Sequence, residues 1–132
     1  MAKISDKNTR ILILNKFNNK CAYCGVDLTI KNLTVDHIIP KRRGANRYEL
    51  SQHGRGSDDI DNYNPCCYSC NSSKSTFSIE KWREEISKKH KRLLRDNSSY
   101  RLLNRFGLIK INTNVIFYFE IFNNKKSGKD NG

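Results

Sequence analysis

The sequence predicts a small α+β domain held as much by side-chain chemistry as by a hydrophobic core. Three observations predict it. The 132 residues fall within the range of one domain, yet only 36% are hydrophobic and 29% are charged. That is little apolar material for the length, so an added staple is expected. Four of the five cysteines form two Cys-x-x-Cys pairs, Cys21/Cys24 and Cys67/Cys70. Helix-like and strand-like stretches alternate between polar, turn-forming segments.

Ser5 or Asp6 can cap a first helix, carrying Ile11, Leu12, Ile13, Leu14 and Phe17 and ending near Asn18. Cys21-Ala22-Tyr23-Cys24-Gly25 reads as a metal knuckle, with the glycine suited to its turn. Residues 26–30 and 33–39 read as a β-hairpin stopped by Pro40. Residues 41–61 form a long polar loop with Lys41, Arg42, Arg43, Arg47 and Arg55, of the length that is usually functional or disordered. Pro65 precedes a helix whose first turn carries Cys67 and Cys70 on one face, with Asn71 and Lys74 presented from another. Ser78 opens a basic helix reaching about Leu94, with Ile79, Trp82 and Ile86 as its apolar stripe. A short helix over 99–106 closes at Gly107. Residues 108–111 and 115–122 read as a C-terminal β-hairpin around Asn112-Thr113-Asn114. Residues 1–124 are expected to be one domain, with a motif core at 20–77 and an extension at 78–124, and 125–132 a disordered tail.

The charge balance is 25 Lys+Arg against 13 Asp+Glu, or +12. Such a field draws polyanions, nucleic acid before anionic membrane. No apolar run reaches the roughly 18 residues of a membrane-spanning helix, and no signal-peptide core follows Met1. A cytoplasmic protein with no membrane partner is the expectation. Five cysteines in that setting argue against disulfides, and two Cys-x-x-Cys pairs argue for one tetrahedral structural zinc. Cys66, off the two-residue spacing, is expected to be a packing thiol.

With the knuckle and the Cys67/Cys70 helix joined through zinc, Asp36 and His37 would be held against Asn71 and Lys74. Carboxylate and carboxamide oxygens suit a hard divalent ion such as Mg²⁺. A neutral imidazole beside them can activate water. Within a basic surround these parts suit hydrolysis of a nucleic-acid backbone. His37 would be general base, a metal on Asp36 and Asn71 would stabilise the leaving oxygen, and Arg42 and Arg43 would touch phosphate.

Cys-x-x-Cys, then Asp36-His37-Ile38-Ile39-Pro40, then Asn62-Tyr63-Asn64-Pro65, then Cys67-x-x-Cys70-Asn71-x-x-Lys74 resembles the HNH endonuclease family in its four-cysteine zinc form. The resemblance covers about 20–74. It implies a ββα-metal (His-Me finger) core and a metal-dependent DNA endonuclease. It also implies His37 as the water-activating histidine and Asp36 and Asn71 as ligands of the catalytic metal. Asn62 would brace the loop and orient His37, with Asn64 the competing position. Lys74 is carried over as a phosphate contact. A phage or mobile-element setting goes with the small size. A zinc nucleobase deaminase is set aside, because no glutamate follows His37 at the required place. The rival from another class is a non-catalytic, zinc-stabilised module that binds nucleic acid.

Overall fold

The structure, a computed structural model, describes residues 3–41 and 55–126. Arg42, Arg43, Arg47 and His53 lie outside the described residues, as does the tail from 127 onward. The described residues fall into two compact units, one containing the knuckle and motif residues with the C-terminal segment, the other spanning Glu80–Val115.

The first unit opens with α1, Lys7–Asn15. Asp6 caps it, accepting from the Thr9 amide at 3.1 Å. Asn18 and Asn19 then turn the chain with positive φ, a conformation asparagine tolerates. Lys20 and Asp27 pair as an isolated bridge, with the Cys21–Cys24 knuckle at the tip between them. Gly25 sits there at φ +78 with its Cα facing the Tyr118 ring, where an added Cβ would lie 3.1 Å from Cδ1.

The sheet has two antiparallel strands, β1 (Thr34–His37) and β2 (Tyr63–Cys66), in register Asp36 with Asn64 and His37 with Tyr63. Helix α2, Tyr68–Lys74, follows β2 directly. The ββα core is therefore present, but its strands differ from those expected. Residues 26–30 form no strand, and Val26 and Ile30 stay exposed. The partner of β1 comes from beyond the long loop: it is β2, all four of whose residues are buried. Pro65 lies within β2, tolerable in a two-stranded sheet where each strand is an edge.

The expected C-terminal β-hairpin is replaced by α6, Tyr118–Lys126, which also takes up the first residues of the expected tail. Its alternating aromatics read as strand, but tertiary partners override that pattern. The Tyr118 and Phe119 amides, left unpaired by the helix start, donate to the Tyr23 and Ala22 carbonyls at 3.0 and 2.7 Å. Glu120 reaches back to the Phe117 amide at 2.9 Å, as in a capping box. Phe117 and Phe119 both meet Tyr23 edge-on, and Phe122 meets Phe17.

The second unit holds α3 (Ile79–Ser87, whose first residue belongs to the other unit), α4 (Lys89–Asp96) and α5 (Ser98–Arg105). The single helix expected from Ser78 to Leu94 breaks at Lys88. Ser87 Oγ donates to the Glu84 carbonyl and His90 Nδ1 bonds the Ser87 carbonyl, local bonds that compete with the helix ladder. Much of its basic charge is paired: Arg83 with Glu80, Lys88 with Glu84, and Arg92 with Glu85. Gly107, at φ +69, follows α5 as expected. No described helix is long and apolar enough to cross a membrane.

Candidate active site

The four cysteine sulfurs of Cys21, Cys24, Cys67 and Cys70 lie within 4.8 Å of one another. Cys24 and Cys67 sulfurs are 3.8 Å apart. A tetrahedral zinc with bonds of about 2.3 Å places its sulfurs roughly 3.8 Å from one another, so this donor set fits. Backbone amides of Tyr23 and Cys67 point at Cys21 Sγ, and that of Cys70 at Cys67 Sγ, as suits anionic sulfur. Thiol hydrogen bonds from Cys66 and Cys70 hold the Cys21 thiol far below its ordinary range. Cys67 is the cap of α2 rather than part of its first turn. Cys66 is buried and is not one of the four clustered sulfurs; its Sγ lies 3.3 Å from the Cys67 carbonyl oxygen as well as beside Cys21.

Asp36 sits near the end of β1, 3% exposed. The Tyr23 hydroxyl donates to Oδ2 at 2.5 Å, and Lys74 Nζ donates to Oδ1 at 3.2 Å. Burial pushes the Asp36 carboxyl up, and the Lys74 charge opposes that shift. Burial and the Asp36 charge push the Tyr23 phenol up. Lys74 is fully buried and also donates to the His37 carbonyl at 3.1 Å. The phosphate contact expected of it is therefore corrected: its ammonium faces inward as the counter-charge of Asp36. The helix turn that carries Cys70 brings Lys74 there, so the sulfur cluster and Asp36 are linked through α2.

The two candidate asparagines do different work. Asn62 accepts from the Ile39 amide at 2.8 Å and donates to the Ile39 and Ser57 carbonyls at 3.0 and 2.9 Å. It ties both ends of the long loop beside His37. Asn64 belongs to the buried network instead, donating to the Tyr23 hydroxyl and accepting from Lys16. Asn62→Ala removes three part-buried hydrogen bonds and is expected to cost about 1–3 kcal/mol, the range for polar groups that lose their partner. Hydrogen exchange would show faster opening at Ile39, whereas unchanged protection there would contradict the bracing role.

His37 is half-buried at the end of β1, its ring edge-on to Tyr63 with centroids 5.2 Å apart. Its Nε2 lies 3.0 Å from Asp58 Oδ1, and Lys41 Nζ lies 2.5 Å from Asp58 Oδ2. Sequence reasoning missed Asp58, Lys41 and Tyr23. Nothing in the sequence separates Asp58 from Asp59 or Asp61, and Tyr23 read as a knuckle filler. Adjacent strand residues face opposite sides, yet Asp36 and His37 both line one cleft of about 380 Å³, with Val35, Pro40, Lys41, Asn71, Ser75 and Thr76. The strand ends at His37, which is how neighbouring residues come to share the cleft.

Comparison with known proteins places these features in a family. Residues 21–77 match the family model for HNH endonuclease. YoqL, an SPbeta prophage-derived protein of Bacillus subtilis that carries the HNH endonuclease name, is 36% identical over 75 residues, covering 54% of this chain and 30% of YoqL. The CRISPR-associated endonuclease Cas9 of Corynebacterium diphtheriae is 32% identical over 71 residues, 53% of this chain and 6% of that protein. A crystal structure of the Type II-C Cas9 enzyme from Actinomyces naeslundii superposes with a TM-score of 0.48 and 23% identity over 59% of this chain and 8% of that one. The chain thus spans less than a third of the length of these relatives. Residues 21–77, with their ββα core and four-cysteine cluster, belong to the HNH endonuclease family.

Proposed function

We propose that this protein is a metal-dependent endonuclease that hydrolyses phosphodiester bonds of DNA. The observation that carries the reading is the meeting of Asp36, His37 and Asn71 on the wall of one cleft. The His37 imidazole takes a proton from water as the water oxygen attacks phosphorus. Asp36 and Asn71 would hold a divalent ion, Mg²⁺ or another hard cation, and their oxygen donors fit it. The bonds from Tyr23 and Lys74 use about half of the roughly four acceptor positions of the Asp36 carboxylate, leaving the rest for an ion. When bound, such an ion neutralises charge on the scissile phosphate and on the leaving oxygen. The four cysteines would hold structural zinc.

DNA as substrate is supported by the surplus of positive charge and by the family of residues 21–77. Arg42 and Arg43, beside the cleft in sequence, are the proposed phosphate contacts. The likeness to a prophage-derived protein favours a phage or mobile-element origin and action in a bacterial cytoplasm.

The test is cleavage of supercoiled plasmid by zinc-loaded protein with Mg²⁺, Mn²⁺ or Ni²⁺ added. Wild type is expected to give nicked or linear product, and His37→Ala to be slower by about 10²- to 10⁴-fold. If both leave the plasmid equally intact with every metal, the endonuclease reading fails and the silent nucleic-acid-binding module takes its place.

A further inference from the structure

We propose that Asp58 is the positioning residue of the catalytic base: its carboxylate holds the His37 ring with the proton on Nε2 and leaves Nδ1 as the basic nitrogen. The inference rests on the endonuclease reading and adds to it a residue that neither the motif nor the family match assigns.

The geometry is specific. Asp58 Oδ1 lies 3.0 Å from His37 Nε2. A carboxylate accepts only, so the shared proton belongs to the ring nitrogen. Which nitrogen of a histidine is basic is set by the bond the other one makes. With Nε2–H spent on Asp58, Nδ1 is the nitrogen left to accept from water. The arrangement matches the carboxylate–imidazole pair of serine hydrolases in logic, with the two ring nitrogens exchanged.

Asp58 is itself held from several sides, which a casual surface ion pair is not. Lys41 Nζ, a cleft residue, binds its second oxygen. That ion pair and the histidine hydrogen bond hold the Asp58 carboxyl below its ordinary range. The Tyr63 hydroxyl donates to the Asp58 carbonyl at 2.9 Å, while the Tyr63 ring packs edge-on against His37. Asn62 holds the neighbouring Ser57 carbonyl, and the Gly56 amide donates to the Pro40 carbonyl at 2.8 Å. Gly56 runs so close to Ile39 that a Cβ there would fall 1.6 Å from the Ile39 oxygen. Four anchors thus bring one acidic side chain of a long loop to the imidazole. In hydrolysis the water proton goes to Nδ1, the Nε2 proton stays on the ring, and Asp58 remains a carboxylate throughout. Its charge also stabilises the imidazolium that forms.

The experiment uses full-length, zinc-loaded protein. Single-turnover cleavage at saturating DNA is expected to fall roughly 10- to 100-fold in Asp58→Ala, the usual cost of losing a partner that orients a reacting histidine. DNA affinity should change by less than about threefold, since ground-state binding is not the role assigned. Asp58→Asn keeps the shape and loses the charge, and is expected to slow cleavage as well. The ¹⁵N signals of the His37 ring, assigned against His37→Ala, should report a single Nε2–H form in wild type and the averaged signals of a free imidazole in Asp58→Ala. If wild type cuts, His37→Ala does not, and Asp58→Ala cuts at the wild-type rate with unchanged ring signals, the proposal is overturned. If wild type cuts nothing but the ring signals still follow Asp58, the endonuclease reading fails while Asp58 remains the residue that sets the ring.

Discussion

Stripping zinc from this protein is expected to unfold the first unit, not merely to slow catalysis. The four sulfurs join two segments that are far apart in sequence, and the knuckle they fix serves as a backbone template. The Ala22 amide donates to the Pro65 carbonyl at 2.9 Å, and the Ala22 and Tyr23 carbonyls accept the first amides of α6. Release of the knuckle therefore frees β2 and α6 together. Structural zinc contributes about 10–16 kcal/mol of apparent binding energy in small zinc domains, against a net stability of about 5–15 kcal/mol for a whole domain. Cys24→Ser is the cleanest variant, because Cys24 is the exposed member of the cluster and its loss removes a ligand with little packing. Chelation and Cys24→Ser should each abolish the cooperative thermal transition followed by circular dichroism. A chelated protein that keeps its helical signal and its transition would refute a structural zinc.

Lys74→Met is expected to destabilise the zinc-loaded protein by about 3–5 kcal/mol, the range for breaking one side of a buried ion pair. Lys74 is fully buried and Asp36 nearly so, and the ammonium serves both that carboxylate and the His37 carbonyl. Methionine keeps all but the terminal nitrogen of the side chain's length, so the loss reflects the uncompensated Asp36 charge more than a cavity. The double variant Asp36→Asn with Lys74→Met removes both charges and should recover a large part of the loss, because matched removal of a buried pair is often near neutral. Denaturant midpoints of the two single variants, the double and the wild type close the cycle. A Lys74→Met cost below about 1 kcal/mol would mean that the pair does not matter to the fold. The same contact gives the zinc helix a hold on Asp36, a residue proposed to act in catalysis.

Much of the candidate site was legible because it is written in rare residue types. Thiols at Cys-x-x-Cys spacing, and Asp36-His37 followed by Asn71, carry a strong signal without any structure. The scaffold was less legible. Residues 26–30 look like a strand next to residues 33–39, but strand pairing depends on which partner offers a buried face, and that partner lies beyond the loop. Residues 115–122 have the strongest strand pattern in the chain, yet the knuckle carbonyls accept the amides at 118 and 119 and a helix follows. Both errors share one cause: local pattern reports what a segment can form, and long-range hydrogen-bond partners select among the options.

The sequence by itself determined the α+β class, the four-cysteine cluster and the family of residues 21–77, because these rest on residue identity and spacing. Only the tertiary structure decided how charges and donors meet. It turned Lys74 inward to Asp36, separated Asn62 at the loop from Asn64 in the buried network, and brought Asp58 to His37. Those pairings join residues far apart in the chain, and only burial and hydrogen-bond geometry specify them.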